Sequence, residues 1–184
     1  MKLYLFAIIT LVLTQIQDTT ISDFNIDTDK NIYYQKVFLV ENEINTDTIE
    51  VFLHSKSNIY DVKKSDSTIT FNIQKMKINY QKYGGSFMNT LVLLNQSMSA
   101  SGTIDVKKSK YRLTLKNIQF LDDSSLYAEG VNNQASNTST LESYVLKNRK
   151  PEFRTNNIIT TGLNYMDLYF SDFFKYQLTE SKDW

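Results

Sequence analysis

The chain has no cysteine, one histidine, one proline and five glycines in 184 residues. Without cysteine there can be no disulfide, no thiolate nucleophile and no thiolate metal site. The single histidine, His54, rules out any centre that needs two imidazoles. Scarce proline and glycine exclude collagen-like and low-complexity sequence. An excess of one charge is also missing. Lys+Arg and Asp+Glu are both 20, so the formal net charge is zero. Dedicated nucleic-acid binders are basic as a rule, and no nucleic-acid partner is expected. No apolar run reaches the roughly 20 residues that cross a bilayer as a helix.

The longest apolar run is at the N-terminus, in "MKLYLFAIITLVLTQ". Lys2 precedes a run from Leu3 to Leu13, broken only by Thr10, and polar "TQIQDTT" follows. This is the length and order of a signal peptide. Residues 1–17 are expected to be one, cut between Thr14 and Asp18, although no Ala-x-Ala cleavage pattern is visible. The chain is then expected to be exported, periplasmic or extracellular, with no membrane span after cleavage. Without cysteine after the run, bacterial lipid anchoring at that residue is excluded. The other readings are a buried segment of a cytosolic domain and an uncleaved anchor.

What is abundant is aromatic: 12 Tyr and 11 Phe, with 41% hydrophobic and 22% charged residues overall. This suits one β-rich domain with tails. Residues 18–31 read as a polar leader, a loop or frayed extension. Within it Asp27, Asp29 and Asn31 imitate the start of a calcium loop. Ile32 and Phe38 stand where that loop needs Gly and Glu, so the motif fails. "YYQKVFLVE" alternates as a strand, with Tyr34, Lys36, Phe38 and Val40 on one face. Both faces are partly apolar, which predicts a strand inside the sheet. "NTDTIEVFLHS" predicts a short helix capped by Asp47 with Glu50, packing through Ile49, Phe52 and Leu53. "IYDVKKSDSTITFNIQKMKINY" predicts two strands around "KKSDS". Apolar parity moves from Ile69, Phe71 and Ile73 to Met76, Ile78 and Tyr80, which predicts a bulge at Gln74–Lys75. "SFMNTLVLLNQ" reads as a further strand.

"SGTIDVKKSKYRLTLKNIQF" predicts a hairpin. Ile104 and Val106, then Tyr111, Leu113 and Leu115, form its apolar face. Arg112 and Lys116 lie on the water side, and Lys107, Lys108 and Lys110 at the tip. Its basic character is the expected wet face of an amphipathic hairpin, and lysine also discourages unwanted pairing at a sheet edge. A polar loop follows at 122–140, where Asp122-Asp123 read as solvated acids. Pro151 breaks any helix around it. "GLNYMDLYFSDFFKYQL" predicts the last helix. Leu163, Met166, Phe170, Phe173 and Phe174 face the sheet, with Asp167, Ser171, Asp172 and Lys175 opposite. Residues 32–180 thus make one domain, and 181–184 a polar tail.

No catalytic motif is assembled. No serine elbow and no phosphate loop appear, since Gly84-Gly85 lacks a following Lys-Ser/Thr. No catalytic residue, metal ligand or cofactor is assigned, and ligand-binding residues stay unknown. An enzyme would have to use His54 or an acid pair. Tyr33-Tyr34 and the tyrosines from Tyr165 to Tyr176 could stack sugars or bases, but suit sheet packing better.

"YYQKVFLVENEINTDTIEVFL", the hairpin "SGTIDVKKSKYRLTLKNIQF" and the closing "SKDW" resemble an uncharacterised family of exported Bacteroidetes proteins. That family's domain of unknown function has a TATA-binding-protein-like fold. The resemblance covers residues 33–121, the last helix and the tail, and it implies a fold without an activity. The expected architecture is α+β: a twisted antiparallel sheet of five or six strands with two helices on one face. The expected function is a non-enzymatic binding or interaction module with an unknown envelope protein or small ligand as partner. The alternatives are an exported hydrolase-like enzyme and a membrane-surface attached protein.

Overall fold

The computed structural model describes residues 20–121, 138–148 and 150–177. The expected signal peptide, the tail at 181–184, Asp122-Asp123 and most of the polar loop lie outside them. Eight antiparallel strands form one sheet: β1 (Thr20–Ile21), β2 (Phe24–Ile26), β3 (Ile32–Leu39), β4 (Ile59–Lys64), β5 (Thr68–Lys77), β6 (Ser97–Lys107), β7 (Lys110–Leu121) and β8 (Thr138–Thr140). The described helices are α1 (Thr46–His54), α2 (Leu141–Val145) and α3 (Asn157–Phe174). The class is α+β as expected, with more strands than five or six. The order is β1-β2-β3-β7-β6-β5-β4, and β8 also pairs with β7. After β3 the chain crosses through α1 to the far edge. It then returns strand by strand until β7 pairs beside β3.

Two of the additional strands come from the supposed leader. Phe24 is fully buried, its ring 5.1 Å from Tyr34 and 6.3 Å from Phe170. Phe24, with Ile21 and Ile26 partly buried against the core beside it, docks an otherwise polar segment as β1 and β2. β8 uses the last three residues of the expected loop, pairing Gln119–Leu121 with Thr138–Thr140. β3 does lie inside the sheet, yet it is covered on one face only: Val37 is 53% and Leu39 83% exposed.

The parity shift in β5 is a bulge as predicted. Register breaks between Ile73 and Met76, and Lys75 has φ 54°. Register also shifts in β4 between Tyr60 and Lys63 and between β6 and β7 at Ser99/Ser101, where Asp61 and Asn117 each have φ 53°. Left-handed residues in bulged strands bend the sheet and increase its twist. "SFMNTLVLLNQ" is not a strand. It makes two 3-10 turns, Phe87–Asn89 and Val92–Asn95. Leu91, Leu93 and Leu94 are buried while Phe87, Met88 and Val92 are exposed, a spacing that no strand of period two can satisfy. Nor is the 101–120 hairpin near an edge. β6 and β7 are central, so its lysines guard no edge.

α1 is capped by Asn45, not Asp47: Asn45 Oδ1 accepts from Thr48 N at 2.9 Å. Asp47 instead sits in the first turn, where a carboxylate suits the helix dipole, and pairs with Lys64. Ile49 and Leu53 are buried. Phe52 is half-buried, edge-on to Tyr176 at 5.6 Å. α3 starts at Asn157, earlier than its apolar stripe suggested, because Asn156 caps it by accepting from Ile159 N at 2.9 Å. Leu163, Met166, Phe170 and Phe174 are fully buried; Phe173 is only partly so.

Two contacts seat α3. The Phe71 ring lies across Gly102, where a Cβ would stand 2.1 Å from Phe71 Cζ, and it packs 5.7 Å from Phe174. The buried Tyr111 hydroxyl donates to Phe174 O at 2.6 Å and accepts from Tyr176 N at 2.8 Å, fixing the C-terminus of α3. Burial pushes the Tyr111 phenol from 10.0 up to about 12, partly offset by the Tyr176 amide. Gly102→Ala is expected to cost about 1–3 kcal/mol by overpacking, measured by urea unfolding. Tyr111→Phe should cost about 1–2 kcal/mol in the same assay, since two bonds lose their partner. The folded state holds the phenol proton more tightly than the unfolded one. The wild-type advantage over Tyr111→Phe is therefore whole below pH 10.0 and disappears as pH rises through about 12. An unchanged difference across that range contradicts the assignment.

Candidate functional site

Directly paired residues of antiparallel strands point to the same side. On one side Tyr34, Phe38, Tyr111, Leu113, Leu115, Ile104, Ile69, Phe71 and Ile73 are buried beneath the helices. No helix covers the opposite side among the described residues. One of its rows is Leu39, Lys110 and Lys107, and the next is Val37, Arg112, Asp105 and Thr68. Then come Gln35, Thr114, Thr103, Thr70 and Lys63. Tyr33 and Tyr60 flank the far end, Tyr60 being opposite Asn72.

This open face is partly organised by its own bonds. Arg112 Nε and Nη2 donate to Asp105 Oδ2 at 3.1 and 2.7 Å, and Thr68 Oγ1 donates to Asp105 Oδ1 at 3.1 Å. Gln35 Nε2 donates to Thr114 Oγ1 at 3.2 Å. At the hairpin end, Val37, Asp105, Lys107, Lys110, Tyr111 and Arg112 line a shallow depression of about 180 Å³. Other depressions are larger, about 290 to 510 Å³, and lie more open to solvent. One lies between α1 and the segment after α3, at Val51, Phe52 and Tyr176. Another is a polar notch at Lys30, Asn117, Thr140 and Glu142. It exists because β3 and β8 share one edge of β7 and leave Lys116–Ile118 between them. Glu142 Oε1 accepts from Ile32 N there at 2.8 Å.

The residues considered from sequence do not converge. His54 is exposed at the last turn of α1 and lines none of these depressions. Asp27 is the keystone of the β2–β3 turn, accepting from Asp29 N at 2.9 Å and Asn31 N at 2.8 Å. The Asn31 bond chiefly holds its carboxyl below the usual range. No group of three or more His, Asp or Glu that could hold a metal occurs among the described residues. Tyr34 is core, and Tyr176 packs on Phe52.

Sequence reading missed an ionic cluster under the sheet edge. Lys36 points to the covered side, 2.7 Å from Asp23 and 2.8 Å from Asp167. Tyr34 Oη donates to Asp167 Oδ1 at 2.9 Å, and Ser171 Oγ donates to Asp167 O at 2.6 Å. Burial pulls the Lys36 ammonium down, but the bonds to Asp167 and Asp23 outweigh it and the net shift is upward. Burial drives the Tyr34 phenol well above its ordinary value. The sequence places Asp167 on the side of α3 opposite its apolar stripe, whereas the structure turns it toward Lys36. On a wheel of about 100° per residue it falls between Leu163 and Ser171, at the rim of the buried arc. A rim position allows either side, and the partner on β3 that draws it inward is not visible in the sequence. The cluster joins the β1–β2 turn, β3 and α3, a structural duty.

No family model matches the chain, and no curated protein does. Two solved structures are similar to it. One is a TBP-like protein from Parabacteroides distasonis, 11% identical, with a TM-score of 0.46, covering 80% of this chain and 93% of that one. The other is a DUF4468 family protein from Bacteroides ovatus, 13% identical, with a TM-score of 0.45, covering 88% and 96%. These are the kinds of protein that the resemblance of residues 33–121 named. Neither likeness bears on what the open face binds.

His54→Ala is expected to leave stability within about 0.5 kcal/mol of wild type. Asp167→Ala should cost about 1–3 kcal/mol by stranding Tyr34 and Lys36. Parallel thermal melts check both, and a neutral Asp167→Ala would remove the cluster's structural role.

Proposed function

We propose that the protein is an exported, non-enzymatic binding module that takes an envelope protein or a small ligand on the open face of its sheet. The observation that carries this is the asymmetry of the central strands. One side is sealed by α1 and α3. The other presents a continuous array of hydroxyl, amide and charged groups beside exposed Val37 and Leu39. Export rests on the signal-like pattern of residues 1–17.

The hydrolase-like reading loses support at His54, which is exposed at the end of α1 and lines none of the depressions described above. A membrane-surface role through α3 is disfavoured because its apolar stripe is already buried. No helix among the described residues is long and apolar enough to cross a membrane. One observation favours surface attachment elsewhere: Phe87, Met88 and Val92 are 63%, 86% and 65% exposed. Flotation with liposomes, lost in a Phe87→Ser/Met88→Ser variant, is the expected outcome of that second reading.

The binding-module reading makes two expectations. Fractionation of the native host with intact-mass measurement should find a chain shortened near Thr14–Asp18 in the soluble envelope or the medium. A full-length mass in the cytosol would refute export. A partner co-purifying in fixed ratio should be lost from Thr70→Trp/Thr103→Trp, bulky uncharged changes that lie on the open face and leave the core untouched. Retention by that variant would place binding elsewhere.

A further inference from the structure

We propose that the hairpin end of the open face is an anchor for a carboxylate lying next to an apolar side chain, both supplied by an extended acidic polypeptide. The inference rests on the binding-module reading and names the partner's chemistry.

Three observations meet there. Lys107 and Lys110 are directly opposite one another across β6 and β7. Like charges in that relation repel. Neither has an ion-pair partner among the described residues, whereas Arg112 has Asp105 and Lys108 has Glu43. An anion arriving between them relieves the repulsion. Arg112 adds a preorganised donor. Asp105, itself held by Thr68, occupies only two of its five N–H groups. The remaining N–H groups have no partner among the described residues. Finally, Val37 stands opposite Arg112 and Leu39 opposite Lys110, 53% and 83% exposed. Cations and bare apolar carbon therefore share one small area.

Size selects the occupant. The depression of about 180 Å³ is smaller than the roughly 300–1,000 Å³ of small-molecule pockets and seats one side-chain-sized group. Further affinity must come from spreading along the Gln35, Thr114, Thr103 and Thr70 row. An extended chain does that and a compact molecule does not. Alternation along β6 and β7 alone makes these lysines a solvated face. The tertiary structure adds the two apolar residues of β3 and the Asp105 brace.

The test uses the full chain purified from its host and the fluorescein-labelled peptide Glu-Leu-Asp-Leu-Glu amide at low ionic strength, read by anisotropy. Expected is saturable binding that weakens with salt, with little binding of Lys-Leu-Lys-Leu-Lys or Glu-Ser-Asp-Ser-Glu. Lys110→Glu turns the cross-strand repulsion into attraction, so its Tm should be unchanged or higher while its Kd is about tenfold or more weaker. Leu39→Ser should weaken binding severalfold. The proposal falls if the acidic-apolar peptide does not saturate, if Lys110→Glu binds it as well as wild type, or if only phosphatidylglycerol vesicles bind. If it falls while Thr70→Trp/Thr103→Trp still loses the native partner, the open face remains the binding surface and only this anchor is wrong. If that variant also keeps the partner, the broader reading fails too.

Discussion

The structure depends on two buried tyrosines that hold α3 against the sheet. Tyr34 on β3 and Tyr111 on β7 stand on the covered side, and each sends its hydroxyl to the helix. Tyr34 donates to Asp167 midway along it, and Tyr111 closes its last turn at Phe174 and Tyr176. Their rings also pack the core, Tyr34 edge-on to Phe170 at 5.1 Å and Tyr111 stacked on Phe38 at 4.9 Å. A buried phenol is tolerated only when its hydroxyl finds a partner. Both partners lie on α3, so the hydroxyls set its position while the apolar stripe supplies most of the burial.

With α3 fixed, α1 has a defined neighbour. Lys56 of the following turn lies 4.6 Å from the Phe52 ring centroid and 5.1 Å from that of Phe173, bridging the two helices. The helices then cover one side of the sheet. Nothing comparable reaches the other side among the described residues, and the open face follows. Its composition agrees: Thr68, Thr70, Thr103 and Thr114 are β-branched enough to favour strand and polar enough to stay in water.

Much of the local order was legible. Alternation in "TITFNIQKMK" revealed both β5 and its bulge, because a period of two makes any inserted residue visible as a parity change. The β6–β7 hairpin was legible for the same reason, and α3 through the 3.6-residue spacing of its apolar stripe. Segments whose burial follows no regular period were misread. Residues 86–96 have strand-like composition but turn twice, and Leu91 fits only because Gly162 leaves room, where a Cβ would stand 2.6 Å from Leu91 Cδ1. β1 and β2 were lost in a polar stretch because only Ile21, Phe24 and Ile26 pack on the core, spread among polar residues and too few to show a period. Asn45 was passed over for Asp47 because both are good caps, and only the backbone path decides which precedes the helix.

The candidate site divides along the same line. Which hairpin residues are wet was decided by the sequence itself, since alternation assigns every side chain of a strand to one face. That these faces belong to the middle of a sheet was decided by the return of the chain from β4 to β7 and the pairing of β7 with β3. Only that non-local pairing sets Val37 and Leu39 beside Arg112 and Lys110. Likewise only the packing of α3 joins Asp167 to Lys36, residues 131 positions apart. Periodicity carries information about which way a side chain faces. It carries none about what arrives from elsewhere in the chain to meet it.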